Sequence, residues 1–164
     1  MIADRPAEKP LLQIRGLQTS FYTRAGVVRA VTGVDLDVSK HEIVGLVGES
    51  GCGKSVTSLS VLGLISDPGR IEAGEIMFDG QDLLTLSHDE LREIRGNRIA
   101  MIFQQPQSSL NPVMRVGRQI GESLELHRNM KDKAARERAI ELMNMVGIPD
   151  PQRRIDAYPH EMSG

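Results

Sequence analysis

A chain of 164 residues that is 40% apolar, 26% charged and only 3% aromatic has the make-up of a globular protein and excludes a disordered, collagenous or disulfide-framed one. Its 20 Lys and Arg against 22 Asp and Glu leave a net charge of −2, which offers no electrostatic footprint for nucleic acid or an anionic lipid surface. The single cysteine, Cys52, forbids an intrachain disulfide and suits a reducing cytoplasm.

Residues 1–10 mix acids and bases around two prolines without an apolar core, so they read as a loose leader and not as a signal or transit peptide. Residues 11–38 alternate apolar and polar side chains in two runs about Arg24-Ala25-Gly26, which predicts an antiparallel pair of strands with a turn there. Ile43-Val44-Gly45-Leu46-Val47 has the look of a strand buried on both faces, and it feeds a glycine-rich loop. Helical spacing through Val56, Leu59, Leu62 and Leu64 predicts a helix over residues 54–65. The longest uncharged stretch, residues 55–66, is well short of the roughly 20 residues that span a bilayer.

Residues 74–80 form a glycine-bounded strand, Ser87 to Glu90 is a capping box opening a short helix, and Ile99-Ala100-Met101-Ile102-Phe103 is a second apolar strand ending at Gln104. From residue 113 the pattern turns helical. Residues 116–127 and 131–146 predict two amphipathic helices, the second with Ala135, Ala139, Leu142 and Val146 on its packing stripe and with Gly147 and Pro149 as stops. The chain therefore divides into a leader (1–10), a core with a β region (11–112) and a helical region (113–164).

Gly48-Glu49-Ser50-Gly51-Cys52-Gly53-Lys54-Ser55 matches G-x-x-x-x-G-K-[ST] in full, between an expected buried strand and an expected helix. Glycines there let several backbone N–H groups converge on a phosphate without Cβ clashes, and the helix N-terminus adds its positive end. Lys54 has the reach for β and γ phosphates, and the Ser55 hydroxyl is a hard oxygen ligand suited to Mg²⁺. Cys52 reads as a small filler of the loop. A lid arginine or a guanine-reading Asn-Lys-x-Asp, which a kinase or GTPase would need, is not in the sequence.

With that loop in place, Arg98-Ile99-Ala100-Met101-Ile102-Phe103-Gln104-Gln105-Pro106-Gln107-Ser108-Ser109-Leu110-Asn111-Pro112 resembles the Q-loop region of ABC transporter ATPases. Its Ser-Leu-Asn-Pro ending is similar to that of ATP-binding subunits of dipeptide, oligopeptide and nickel importers, and residues 157–164 resemble the approach to that family's signature motif. The resemblance runs from about residue 11 to Gly164. It implies an α/β fold of P-loop type, with a mixed core sheet, a peripheral antiparallel β region and a helical subdomain.

The resemblance also implies ATP and Mg²⁺ as cofactors and ATP hydrolysis coupled to import. Lys54 and Gln104 would be the catalytic residues, and Ser55 and Gln104 would hold the metal. Phe21, nine positions before Ala30, would stack on adenine, with Tyr22 as the alternative. Gly48, Glu49, Ser50, Gly51, Cys52, Gly53, Lys54, Ser55 and Val56 would wrap the phosphates, and Ser163 and Gly164 would open the signature facing a second subunit's nucleotide. Implied partners are membrane-spanning permease subunits, a second ATP-binding subunit and, indirectly, a substrate-binding protein, but no nucleic acid. The implied place is the cytoplasmic face of the inner membrane, held there through the permeases.

Two positions depart from the family pattern: His41 stands where glycine is usual, and Val56 where many members have threonine. The family's later apolar strand ending in aspartate, its catalytic glutamate and its switch histidine are not in this sequence, so the core sheet is expected to be incomplete. Asp79, followed by Gly80, and His160, ahead of the signature, do not replace them. The alternative is a nucleotide-binding half-domain that does not hydrolyse ATP.

Overall fold

The computed structural model describes residues 9–105 and 109–162, and its packing divides the chain into two compact units, Met1–Arg92 and Glu93–Gly164. The second unit thus includes residues 93–112, which the sequence pattern groups with the first.

In the first unit, β1 (Leu12–Thr23) and β2 (Gly26–Val38) pair antiparallel across the two-residue connection Arg24-Ala25, as the alternation predicts. β3 (Gly69–Phe78) pairs with the other edge of β1, and β4 (Gln81–Asp82) closes the order β2-β1-β3-β4. Asp79 and Gly80, which join β3 to β4, both have positive φ, 50° and 84°, the backbone an Asp-Gly hairpin turn favours. Asp79 is thereby accounted for as a turn residue. β1 is the central strand, so its inward side chains are the best covered: Ile14 and Leu17 are fully buried, with Ile14 directly opposite Ile76.

Helix α1 (Lys54–Val61) lies against β1 and β2, and it stops one turn earlier than its apolar spacing suggests. The Ser66-Asp67-Pro68-Gly69 run that follows is turn-forming. Helix α2 (His88–Ile94) opens on the expected capping box: the Glu90 carboxylate accepts from the Ser87 N–H at 2.8 Å and from its hydroxyl at 2.7 Å.

The second unit is helical. α3 (Val116–Arg128) and α4 (Asp132–Met145) pack on each other, and α5 (Pro151–Arg154) follows. Their core is Ala139, Met143 and Ile155, with Ile120, Ile140, Ile148 and Met162 packed round it. Met143 takes the third place on the α4 stripe, where Leu142 was expected, and Val146, expected fourth, is exposed. The i, i+4 spacing from Ala135 through Ala139 leads to Met143, whereas Val146 lies on the final turn beyond the last packed position. The first amides of α3 are satisfied by backbone carbonyls, Val116 N–H by Ala157 and Gly117 N–H by Ile155, both at 2.9 Å. A bidentate pair from Arg136 to Asp156, at 2.8 and 2.6 Å, ties α4 to the same segment.

Two expected strands do not form. Residues 43–47 are not a strand, and Ile43 and Val47 are 99% and 93% exposed. Residues 99–103 contribute only an isolated bridge from Ile99 to Arg95, and Ile102 is 90% exposed. A strand buried on both faces needs ladder partners on both sides, and neither run has them among the described residues. The α/β class holds, carried by the antiparallel sheet and the helices, and no mixed core sheet forms among the described residues.

Candidate functional site

The phosphate loop runs straight into α1. Gly53 is the N-cap, with φ 94° in the left-handed region, and Lys54 and Ser55 are the first two helical residues. A Cβ at Gly53 would come within 3.0 Å of the Ala30 carbonyl oxygen on β2 and 3.4 Å from Val31 Cγ2, so only glycine allows the loop to press on the strand there. Thr57 fixes the Gly53 carbonyl twice, its N–H donating to it at 2.8 Å and its hydroxyl at 3.0 Å. Gly53 has no side chain to cap the helix, and no side-chain hydrogen bond caps its N-terminus.

Lys54 folds its ammonium back over the loop. Nζ donates to the carbonyls of Gly48 at 2.6 Å and Glu49 at 2.7 Å, and lies 3.3 Å from Cys52 Sγ. A Cβ at Gly48 would meet that same sulfur at 2.6 Å, which makes Cys52 a filler between the two sides of the loop, as expected. The result is a shallow exposed cradle with a cation at its centre and Ser55 exposed beside it. His41, upstream of the loop, has φ 62°, the conformation for which glycine is the easier residue.

Phe21 and Tyr22 diverge, as neighbours on a strand must. Phe21 is half-buried opposite Gly69 of β3; a Cβ at Gly69 would strike its ring at 2.6 Å and Ile65 Cγ2 at 2.8 Å. The missing side chain at Gly69 is what seats the ring. Tyr22 points the other way, its hydroxyl donating to Glu72 at 2.8 Å and the Arg70 guanidinium 5.8 Å from its ring centroid.

Gln104 belongs to the second unit and is exposed. Pro106, Gln107 and Ser108 lie outside the described residues, as do Ser163 and Gly164 of the expected signature. Before them, Tyr158 and His160 stack with centroids 5.8 Å apart, and the Glu161 carboxylate accepts from the Tyr158 N–H at 2.7 Å. Sequence reasoning did not find Gln119 on α3. Its Nε2 donates to the carbonyls of Asn111 and Met114 at 3.0 and 2.8 Å, and its Oε1 accepts from Asn111 N–H at 2.9 Å, clamping the Ser-Leu-Asn-Pro stretch. The sequence carries no clear signal for it beyond a polar side chain beside the buried Val116 and half-buried Ile120. A cleft of about 480 Å³ in this unit is lined by Asp150, Arg153, Arg154, Asp156 and Glu161, charges of both signs.

Among the described residues no group of three or more His, Cys, Asp or Glu could hold a metal ion. The oxygen donors of Ser55 and Gln104 are of the hard type Mg²⁺ takes, and Mg²⁺ commonly binds through few protein ligands with substrate phosphates and waters completing its shell. Each of these oxygens, taken by itself, is chemically suited to a metal that arrives with a nucleotide. No helix among the described residues is long and apolar enough to cross a membrane.

The ABC transporter family model matches residues 31–164. Over 160 residues, 97% of the chain, it is 50% identical to a probable peptide ABC transporter ATP-binding protein of Sinorhizobium fredii, covering 48% of that protein. It is 48% identical over 155 residues, 94% of the chain, to the oligopeptide transport ATP-binding protein OppD of Bacillus subtilis, covering 43% of it. The chain thus spans about half the length of the curated relatives it matches. Among solved structures it is similar to the dimeric ABC transporter cassette MJ0796, with a TM-score of 0.78, 24% identity and coverage of 93% of this chain and 63% of that one. A post-hydrolysis state of that cassette, bound to ADP and Pi, gives a TM-score of 0.79 with the same identity and coverage.

Proposed function

The chain belongs to the ABC transporter family, and on that premise we propose that it is the nucleotide-binding portion of an ATP-driven import subunit. The observation that carries this reading is the loop with Lys54 Nζ 2.6 and 2.7 Å from the Gly48 and Glu49 carbonyls, at the mouth of an uncapped helix. Phosphate oxygens entering there exchange those carbonyls for themselves as partners of the ammonium. The backbone N–H groups of residues 51–56, Val56 included, converge on the same anion. Lys54 then stabilises the charge that shifts as the terminal phosphoryl bond breaks. Phe21 offers its ring face to adenine, and Ser55 and Gln104 would hold Mg²⁺, which would supply neutralisation of phosphate charge. Ser163 and Gly164 serve a second subunit's nucleotide.

The names of the curated relatives favour peptides over nickel as the imported class. Permease subunits are the proposed membrane partners, at the cytoplasmic face. The second reading, nucleotide binding without turnover, is favoured by the exposed Ile43, Val47 and Ile102, since among the described residues those runs have no ladder partners of a closed core sheet. One experiment tests both readings: MgATP binding and phosphate release by the intact protein and its Lys54→Ala variant. Binding with turnover that falls by about 10²-fold or more in the variant supports the enzyme. Binding without turnover supports the second reading, and turnover kept by Lys54→Ala refutes the role assigned to the lysine.

A further inference from the structure

Between α1 and β1 lies a pair of hydroxyls in a place where periodicity calls for apolar side chains. Thr19 is fully buried and Ser60 is 1% exposed, and their oxygens are 3.1 Å apart. Ser60 Oγ also lies 2.8 Å from the Val56 carbonyl, to which it must donate, since a carbonyl has no proton to give. A hydroxyl has one proton, so Ser60 accepts from Thr19. The relay runs in one direction, Thr19 O–H to Ser60 O–H to Val56 C=O.

Its two ends lie on the two elements that carry the proposed ends of the nucleotide site. Val56 stands two residues after Lys54 on the helix that the phosphate loop opens. Phe21 stands two residues after Thr19 on β1, on the same face of the strand. Six residues separate Lys54 from Ser60, a rise of roughly 9 Å along the helix, so the pair touches neither phosphates nor base. Apolar packing alone permits α1 to slide or rotate slightly on the sheet, whereas a directional bond between two buried oxygens does not.

We infer that the Thr19–Ser60 hydroxyl pair is a positioning device that sets the span between the base platform at Phe21 and the phosphate loop at Lys54. This rests on the nucleotide reading given above and adds residues that no motif names. A merely structural pair would matter only for folding. Replacing both hydroxyls by apolar groups of similar shape is close to neutral for stability, while deleting Ser60 alone strands a buried Thr19 donor. The two roles are therefore separable.

The test compares ATP, which bridges both ends of the site, with inorganic tripolyphosphate, which occupies only the loop. Both are titrated against the intact wild-type protein, Thr19→Val, the double variant Thr19→Val/Ser60→Ala and the conservative Thr19→Ser, with melting midpoints recorded for each. Thr19→Val and the double variant are expected to weaken ATP by about fivefold to tenfold and to change tripolyphosphate by less than about twofold. Thr19→Ser is expected to restore ATP affinity. Equal losses for the two ligands, or unchanged ATP affinity in the double variant, overturn the positioning role while leaving the nucleotide reading intact. A wild-type protein that binds neither ligand overturns the nucleotide reading and this inference with it.

Discussion

Gly53→Ala is the perturbation that most directly probes how the phosphate loop is held. At φ 94° an L-residue enters the left-handed region, at a cost of about 1–2 kcal/mol. The new Cβ would also lie within 3.0 Å of the Ala30 carbonyl oxygen, a backbone atom that cannot swing aside as a side-chain tip would. Relief requires β2 or the loop to move, an overpacking cost of about 1–3 kcal/mol. The reduced freedom of the unfolded chain returns about 0.4–1 kcal/mol, leaving a net loss of about 1–4.6 kcal/mol. With a urea dependence of about 2 kcal/mol per molar, the unfolding midpoint should fall by about 0.5–2.3 M. Gly51→Ala is the control: it shares a positive φ, 84°, but nothing lies within 4 Å of its Cβ, so it should cost only the backbone share. Equal midpoints for the two variants would refute the close approach of loop to strand.

In the helical unit, Met143→Ala should cost about 2–5 kcal/mol, because Met143 is 1% exposed among Ala139 and Ile155; Val146→Ala should change stability by less than about 0.5 kcal/mol, and a reversed order in urea midpoints would contradict the packing. The Arg136 guanidinium, hydrogen-bonded to Asp156 with Arg115 close by, holds the Asp156 carboxyl below its ordinary range. A depressed carboxyl contributes stability above its unfolded pKa of about 3.9 and loses it as pH falls through the folded value. Asp156→Asn should therefore lower the midpoint at pH 6 and flatten its decline in acid, and a variant curve parallel to the wild type would sink that account.

What the sequence made legible was local. The hairpin about Arg24-Ala25, the Ser87 to Glu90 capping box and the stop at Gly147 each need only a few adjacent residues to form. The phosphate loop is of the same kind, since its glycines, Lys54 and Ser55 are contiguous. The packing stripe of α4 was misjudged because Leu142 and Val146 fit an apolar helical spacing as well as Met143 does, and only the packing shows that Met143 is the one buried. Gln119, Thr19 and Ser60 were missed for the converse reason: a polar side chain in a periodic run reads as a surface residue until its partner, 8 or 41 residues away, is seen.

Residues 43–47 and 99–103 show where apolar content misleads. A run buried on both faces is recognised by its need for neighbours, and need does not supply them. Without paired strands among the described residues, Ile43, Val47 and Ile102 meet water, and yet the loop that follows residue 47 keeps its left-handed N-cap and its ammonium over the carbonyls. That contrast identifies what holds the loop in this chain. The support comes from the hairpin side, through Gly53 on Ala30 and Ser60 on Thr19, and not from ladder bonds to the segment that leads into it. The motif puts the glycines, Lys54 and Ser55 in one contiguous run, while the loop's geometry is set by a strand pair that lies before it in the sequence. Variants of β1 and β2 that never touch a nucleotide should therefore disturb the loop more than conservative apolar exchanges within residues 43–47.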